Sequence, residues 1–256
     1  MTLDRRLLGR RIAVLAADGF EKVELTVPIA ALRAACADVE IVSLRHGRIR
    51  GVNLHEPAAR VAVDRSLAEV DARDYDALFI PGGFIGPDLL RQSQAARSFA
   101  RAFDDSGKPV ATLGHGAWLL VSADLAAGRT MTSWPGIRDD LVHAGATWLD
   151  EAVVRDGNWL TSRGPHDLPR FVRALVEHFA GTEREKRRPQ APQGASAPQR
   201  KTPPRFVVGA LQRLPRRTLA ATAVAVGLLT LYAMRARRQR ARSLGHRLVL
   251  GQSSAP

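Results

Sequence analysis

The 256-residue sequence contains a single cysteine, Cys36, which excludes an internal disulfide and any metal site built from several cysteines. Cys36 ends an apolar helical segment, AALRAACADVE, and we predict a buried small side chain there and not a reactive thiol. The N-terminal residues, MTLDRRLLGRR, are charged and lack the apolar core of a secretory signal, so we expect no such signal. Together these absences favour a reducing compartment.

Charge is distributed unevenly along the chain, although its formal total is +13. Residues 1–181 contain 22 basic and 23 acidic side chains, whereas residues 182–256 contain 16 and 2. The basic character therefore belongs to a C-terminal tail, and it does not indicate a globular domain that binds nucleic acid. Because the arginines of the tail flank an apolar segment and lack interleaved aromatics, we predict no nucleic-acid partner.

Apolar runs alternate with helical patterns over residues 11–181. The predicted strands are Arg11–Ala17, Val39–Leu44, a weaker Val61–Val63, Ala77–Pro81, Val110–Leu113, Trp148–Val154 and Asn158–Ser162. The predicted helices are Val23–Ala35, Asp88–Phe103 and Leu168–Phe179, with HGRIRG as a turn-rich connector and Asp156-Gly157 as a hairpin turn. This alternation predicts an α/β domain with a mainly parallel sheet, whose functional site lies beyond the carboxyl ends of the strands.

The segment Val110–Val121, VATLGHGAWLLV, joins a buried strand directly to a sharp turn and the start of a helix. Such a turn lifts one side chain above the edge of the sheet and directs it at the N-terminus of the next helix, where a nucleophile would lie. Gly114 occupies the apex of this turn and has no side chain.

Five motifs in order, ADGFEKVEL, IPGGFIGPDLLR, GKPVATLGHGAWLL, TSWPGIRDDLVHAGA and DGNWLTSRGP, resemble the PfpI-type intracellular protease family of the class I glutamine amidotransferase-like superfamily. The resemblance extends from about Arg11 to Gly181. It implies a flavodoxin-like sandwich that forms dimers or hexamers, with peptidase, glyoxalase-like, deglycase and chaperone activities among the members. It also implies a site in which an elbow cysteine is followed by histidine and has an acidic residue nearby.

The resemblance assigns roles to individual residues. Glu24 matches the acidic residue beside the cysteine, and Glu21 is a second candidate; His115 matches the histidine that follows the nucleophile. Asp88 matches an acid that reaches the histidine of a neighbouring subunit in some members. The departure from the family pattern is Gly114, which stands where the family has cysteine.

Without that cysteine, several interpretations of the site remain open. Glycine can neither attack nor be oxidised, and we do not expect Thr112, Ser122 or Ser133 to replace the nucleophile. His115 is either a structural residue or a general acid or base acting on water, and Glu24 either contacts a ligand or is hydrated. Ligand-binding positions are predicted at Glu21, Gly83, Gly114 and Gly116. We predict no metal and no cofactor, and we interpret Asp167 as a helix cap.

Beyond residue 181 the sequence changes character. Residues 182–217 form a predicted disordered, basic, proline-rich linker, and Thr218–Met234 is an uncharged run of 17 residues bracketed by arginines. We predict a single transmembrane helix there, followed by a basic tail over 235–256, with membrane lipid as a partner. The positive-inside rule does not determine the orientation of this helix, because arginines flank both ends. The expected absence of an N-terminal secretory signal favours a cytoplasmic globular domain.

These features give two hypotheses of different class. The first is a membrane-anchored, oligomeric domain without a catalytic cysteine, which acts as a binding or scaffold module; stress response is one role that we consider. The alternative is a residual or altered hydrolase that uses His115, Glu24 and a water molecule.

Overall fold

The computed structural model describes residues 4–181, 195–200 and 202, in which strands alternate with helices. The strands are β1 (Arg11–Leu15), β2 (Phe20–Glu21), β3 (Asp38–Ser43), β4 (Arg48–Asn53), β5 (Glu56–Ala62), β6 (Arg65–Ser66), β7 (Ala77–Ile80), β8 (Val110–Leu113), β9 (Thr130–Met131), β10 (Thr147–Trp148), β11 (Val153–Asp156) and β12 (Trp159–Ser162). The α-helices are α1 (Lys22–Ala34), α2 (Gly86–Gln92), α3 (Gln94–Asp105), α4 (Ala117–Ser122), α5 (Arg138–His143) and α6 (Leu168–Ala180).

A sheet of seven strands in the order β11-β12-β8-β7-β1-β3-β6 forms the centre of the domain. Every neighbouring pair is parallel except β11 and β12, which are antiparallel. The two are joined at Asp156-Gly157, where Gly157 has a φ of 57°. The predicted hairpin and the mainly parallel sheet are therefore confirmed.

Helices cover both faces of this sheet, as the alternation of side chains along β1 shows. Ile12 and Val14 belong to a buried cluster with residues of α1 and α6, whereas Ala13 and Leu15 belong to a second cluster with residues of α2 to α5. Since successive side chains of a strand point to opposite faces, both faces of β1 are buried. The result is the predicted flavodoxin-like sandwich.

One predicted helix is divided into two. The pattern over Asp88–Phe103 predicts a continuous helix, but α2 ends at Gln92 and α3 begins at Gln94. Ser93 separates them with an extended backbone, and its side chain accepts a hydrogen bond from the Ala96 amide at 3.3 Å. Serine at such a position satisfies the free amides of a new helix, and helical periodicity alone does not reveal this break.

The prediction of a turn-rich connector at HGRIRG is wrong for its last four residues, which belong to β4. This strand pairs antiparallel with β5 and parallel with β2 in a separate three-stranded sheet. Arginines alternate with a single isoleucine at the start of β4, and β5 has few large apolar residues, so neither strand contains an apolar run. The predicted strand Trp148–Val154 is likewise interrupted, with β10 paired to β9 and β11 joined to the main sheet.

Part of the predicted linker lies on the domain. The Ala197 amide donates to the Trp148 carbonyl at 2.8 Å, the Ser196 hydroxyl accepts from the Trp148 amide at 3.1 Å, and Arg200 pairs with Asp150 at 2.7 Å. The prediction of a disordered linker is therefore wrong for residues 195–200, because their backbone finds hydrogen-bond partners on the domain. The remaining linker predictions, and the predicted basic tail over 235–256, lie outside the described residues.

The predicted membrane segment, Thr218–Met234, also lies outside the described residues. Among the helices that the structure does describe, none combines the length and apolar character needed to cross a bilayer.

Candidate functional site

The strand, turn and helix predicted around Gly114 are present. Strand β8 ends at Leu113, residues Gly114–Gly116 form one 3₁₀ turn, and α4 begins at Ala117. Gly114 has a φ of 60°, a left-handed conformation that costs glycine little and other residues about 1 kcal/mol or more. The sharp turn at the carboxyl end of β8 therefore suits the glycine that occupies it.

Glu24 lies directly opposite this turn. It belongs to the first turn of α1, and only 3% of its surface is exposed. A Cβ atom placed on Gly114 would lie 3.1 Å from Oε2 and 3.4 Å from Oε1 of Glu24. The structure thus brings together two of the residues that the sequence assigned to one site, and any side chain at position 114 would meet this carboxyl group.

The environment of Glu24 favours its neutral form. Burial raises the pKa of its carboxyl to about 8, the nearby Glu21 carboxylate adds to the rise, and the Gly82 amide opposes it. The Oε2 atom is buried and has no hydrogen-bond partner among the described residues. A buried polar atom without a partner is costly, so a hydrogen bond to this oxygen would be favourable.

Glu21 has a different task. Its Oε2 atom accepts a hydrogen bond at 2.8 Å from the amide of Leu54, in the turn between β4 and β5. Burial raises the pKa of this carboxyl as well, and the bond to Leu54 opposes the rise. Glu21 therefore ties the β4–β5 hairpin to β2, and its predicted ligand-binding role stays a prediction.

Gly83 and Gly116 allow backbone segments to approach closely. A Cβ atom on Gly83 would lie 2.5 Å from the Gly19 carbonyl oxygen, and one on Gly116 would lie 2.8 Å from the Ile80 carbonyl oxygen. Neither approach is compatible with a larger residue. Packing of the loops after β1, β7 and β8 accounts for both glycines, so their predicted contact with a ligand also stays a prediction.

His115 packs between two tryptophans. Its ring centroid is 5.1 Å from that of Trp118 and 5.8 Å from that of Trp134, with the Trp134 ring nearly parallel to it. Burial lowers the pKa of His115 to about 4, although the Asp140 carboxylate partly offsets this. The imidazole is therefore neutral at pH 7. Within the part of the chain that the structure describes, it makes no hydrogen bond to Glu24.

The grouping of Trp118 and Trp134 around His115 is not apparent from the sequence. Trp134 also lies beside the apex, because its amide donates to the Gly114 carbonyl at 3.2 Å. Sixteen positions separate the two tryptophans in the sequence, and no periodic pattern links them. The TSWPG motif is the sequence signal that marks Trp134.

Asp88 lies apart from this group. It is half-buried in the first turn of α2, and its carboxylate accepts a hydrogen bond at 3.0 Å from Gln92, one turn later. The single chain gives no contact between Asp88 and either Glu24 or His115 among its described residues. Its predicted approach to the histidine of another subunit stays a prediction.

The hydroxyl groups near the turn already have partners. Thr112 donates to the Ile80 carbonyl at 3.1 Å, Ser133 accepts from the Trp148 indole at 3.0 Å, and Ser122 accepts from an arginine of α2. That none of them replaces the nucleophile stays a prediction. Across the described ranges, no group of three or more His, Cys, Asp and Glu side chains is arranged to hold a metal ion.

Two other predictions need correction. Asp167 precedes α6, but its carboxylate binds Arg163 at 2.8 Å and makes no cap bond to the helix, because the guanidinium offers a charged donor. Cys36 is half-buried and not fully buried, and it has a φ of 68° just after α1 ends. The part of α1 from Glu24 to Ala34 is about 15 Å long, at 1.5 Å per residue, and Cys36 lies beyond that end of the helix.

A flavodoxin-like sandwich with a strand–turn–helix site over a buried glutamate defines the class of this protein. The profile of the DJ-1/PfpI family matches residues 10–178, so the chain belongs to the DJ-1/PfpI family, as its motifs predict.

Three similar proteins illustrate the relationship. The deglycase PfpI of Pyrococcus furiosus is 41% identical over 167 residues, which are 65% of this chain and 98% of the relative. The structure of Drosophila melanogaster DJ-1beta has a TM-score of 0.63 and 28% identity, covering 68% of this chain and 92% of that one. A two-domain protein of Anabaena variabilis, with a DJ-1/ThiJ/PfpI-like and a ferritin-like domain, has a TM-score of 0.63 and 30% identity. The match covers 72% of this chain and only 52% of that two-domain protein.

Proposed function

We propose that this domain is a non-catalytic binding or scaffold module whose ligand binds at the turn around Gly114, beside Glu24. One observation supports the proposal: position 114, where the family resemblance implies a cysteine, has no side chain, and it faces a buried carboxyl oxygen of Glu24 that has no partner among the described residues. A relative is named a deglycase. The chemistry of such a relative does not transfer to this chain if it depends on a thiol at position 114.

A second candidate function is a hydrolase in which Glu24 acts on a water molecule, with His115 beside the site. The pKa of Glu24, about 8, favours this candidate because a general acid or base works best with a pKa near the working pH. The neutral His115 could then accept a proton or donate a hydrogen bond, according to its tautomer.

A turnover assay separates the two candidates. With methylglyoxal and with peptide substrates, the wild-type protein is expected to show no thiol-dependent turnover, since Cys36 lies at the far end of α1. Alkylation and Cys36→Ser should both leave any measured rate unchanged. Turnover that Cys36→Ser abolishes would overturn the non-catalytic proposal. Turnover that ignores Cys36 but disappears in Glu24→Gln or His115→Ala would establish the water-dependent hydrolase.

We also propose that the chain is anchored to a membrane by Thr218–Met234, with its globular domain on the cytoplasmic side, and that the domain self-associates. The uncharged run between arginine clusters supports the anchor. Three apolar side chains near the start of α2, Phe84, Ile85 and Leu89, are between 38% and 47% exposed and support self-association.

The anchor makes a direct prediction. The full-length protein should sediment with membranes and resist washing with high salt, because burial of the apolar run is not weakened by screening. A chain ending at Thr202, which keeps the segment docked on the domain, should remain in the supernatant. Release of the full-length protein by salt alone would show adsorption through the basic residues and would contradict a membrane-spanning anchor.

A further inference from the structure

A positively charged cavity of about 730 Å³ lies beside the β4–β5 hairpin, away from Gly114. Its walls come from the loop after β1, the connector before β4, and the strands β4 and β5. The ionisable and titratable side chains among the described residues that line it are Asp18, Arg45, Arg48, Arg50, His55 and Arg60. Four arginines and one carboxylate give this lining a surplus of positive charge.

The arrangement of Arg50 and Arg60 is unfavourable for the hairpin itself. They lie directly opposite each other in the antiparallel β4–β5 pair, so their side chains leave the same face. Like charges in this cross-strand position repel and destabilise the pair. Among the described residues neither guanidinium has a carboxylate partner, and Arg48, two positions earlier on the same face, donates only to a backbone carbonyl.

Asp18 does not neutralise this group. Its Oδ2 atom accepts a hydrogen bond from the Arg45 guanidinium at 2.6 Å, and its Oδ1 atom accepts one from the Arg50 backbone amide at 2.8 Å. The carboxylate is therefore committed to Arg45 and to the backbone of β4. Three guanidinium groups, those of Arg48, Arg50 and Arg60, remain available to a ligand.

We propose that this cavity binds the phosphate group of a soluble phosphorylated small molecule. Guanidinium groups bind phosphate oxygens through paired, charge-assisted hydrogen bonds. Because three guanidinium groups face the cavity, a doubly charged phosphate ligand matches their charge better than a ligand with one carboxylate. The volume lies within the range of small-molecule sites, about 300–1,000 Å³. Val52, Pro57 and Ile85 add apolar walls, which favour an organic phosphate ester over inorganic phosphate.

Calorimetric titration of the full-length protein with glycerol 3-phosphate tests the proposal, with inorganic phosphate as the comparison. The wild type should bind the ester saturably and more tightly than inorganic phosphate. Arg50→Gln and Arg60→Gln should each lower the affinity about tenfold, the loss of one charge-assisted contact. Arg170→Gln, which removes the same charge from an exposed position on α6, should leave the affinity unchanged.

Thermal unfolding at low salt provides a second, independent measurement. Without ligand, Arg60→Gln should raise Tm relative to the wild type, because the cross-strand repulsion is removed. Addition of glycerol 3-phosphate should raise the Tm of the wild type and of Arg170→Gln equally, and at the same concentration it should raise the Tm of Arg60→Gln by clearly less.

Two results would overturn the assignment. If Arg170→Gln weakens binding as much as Arg50→Gln does, the ester responds only to net charge and no built site exists. If the soluble ester does not bind, while vesicles containing phosphatidic acid protect the arginines of wild-type protein from modification, the cavity takes a lipid headgroup and not a soluble ligand.

Discussion

Replacing Gly114 by cysteine is expected to create a thiol that reacts with iodoacetamide at least about tenfold faster at pH 7 than Cys36 does. The new Cβ would stand 3.1 Å from the Glu24 carboxyl, which is protonated at pH 7 and can donate a hydrogen bond to a thiolate. The start of α4 adds a favourable dipole. Mass spectrometry of Gly114→Cys in a Cys36→Ser background, with wild-type Cys36 as reference, measures both rates.

Two control variants separate the effect of backbone strain at position 114 from the effect of the Glu24 carboxyl. Gly114→Ala should lose roughly 1–3 kcal/mol of unfolding free energy, because its φ of 60° is strained for any residue with a Cβ, and Gly114→Cys should lose a similar amount. Glu24→Leu combined with Gly114→Cys should slow alkylation, since the hydrogen-bond donor is gone. If the Gly114→Cys variant folds normally but its thiol is alkylated as slowly as Cys36, position 114 is closed to small molecules. The function would then lie elsewhere on the surface.

The free energy of unfolding should depend on pH, and the contributions of Glu24 and His115 to this dependence have opposite signs. The pKa of Glu24 is raised from 4.5 to about 8, so the folded state retains a proton that the unfolded state loses, and stability falls as pH rises from 4.5 to 8. The pKa of His115 is lowered from 6.5 to about 4, so stability rises with pH between 4 and 6.5. The two effects oppose each other up to pH 6.5.

The expected wild-type profile is therefore nearly flat from pH 4.5 to 6.5 and falls by roughly 2 kcal/mol between pH 6.5 and 8. Glu24→Gln keeps the shape of the protonated side chain and should remove the fall, leaving the rise due to His115. Urea unfolding at a series of pH values gives both curves. Glu56→Gln, at an exposed position on β5, should reproduce the wild-type profile. A profile for Glu24→Gln that still falls above pH 6.5 would show that Glu24 does not carry the effect.

The sheet and the turn at its edge could be predicted because their signals are local. Buried parallel strands such as Val110–Leu113 are short apolar runs, and the glycines beside them mark where the chain must turn. The break between α2 and α3 could not be predicted, because a single serine separates two segments that share one helical period. The β4–β5 hairpin was missed for another reason: the alternation of exposed and buried residues in β4 is short, because it ends where the register shifts between Arg50 and Val52.

At the candidate site, the sequence identified the residues but not their relations. The approach of Glu24 to Gly114 followed from the family motifs, and the geometry supports it. The position of His115 between Trp118 and Trp134 depends on how α4 meets the loop before α5, and no sequence spacing encodes that contact. The depressed pKa of His115 is a result of that burial, so it too becomes visible only in three dimensions.

The segment docked at Trp148 also protects an edge. Strand β10 pairs with β9 on one side. On its other side, the backbone amide and carbonyl of Trp148 would be free to form hydrogen bonds with a strand of another chain. Ser196 and Ala197 form hydrogen bonds with these two groups. Unpaired strand edges recruit other chains and lead to aggregation. Residues 196 and 197 thus protect this edge from pairing with other chains. We expect that a chain ending at Gly181 would expose the edge of β10 and would aggregate for a reason unrelated to its function.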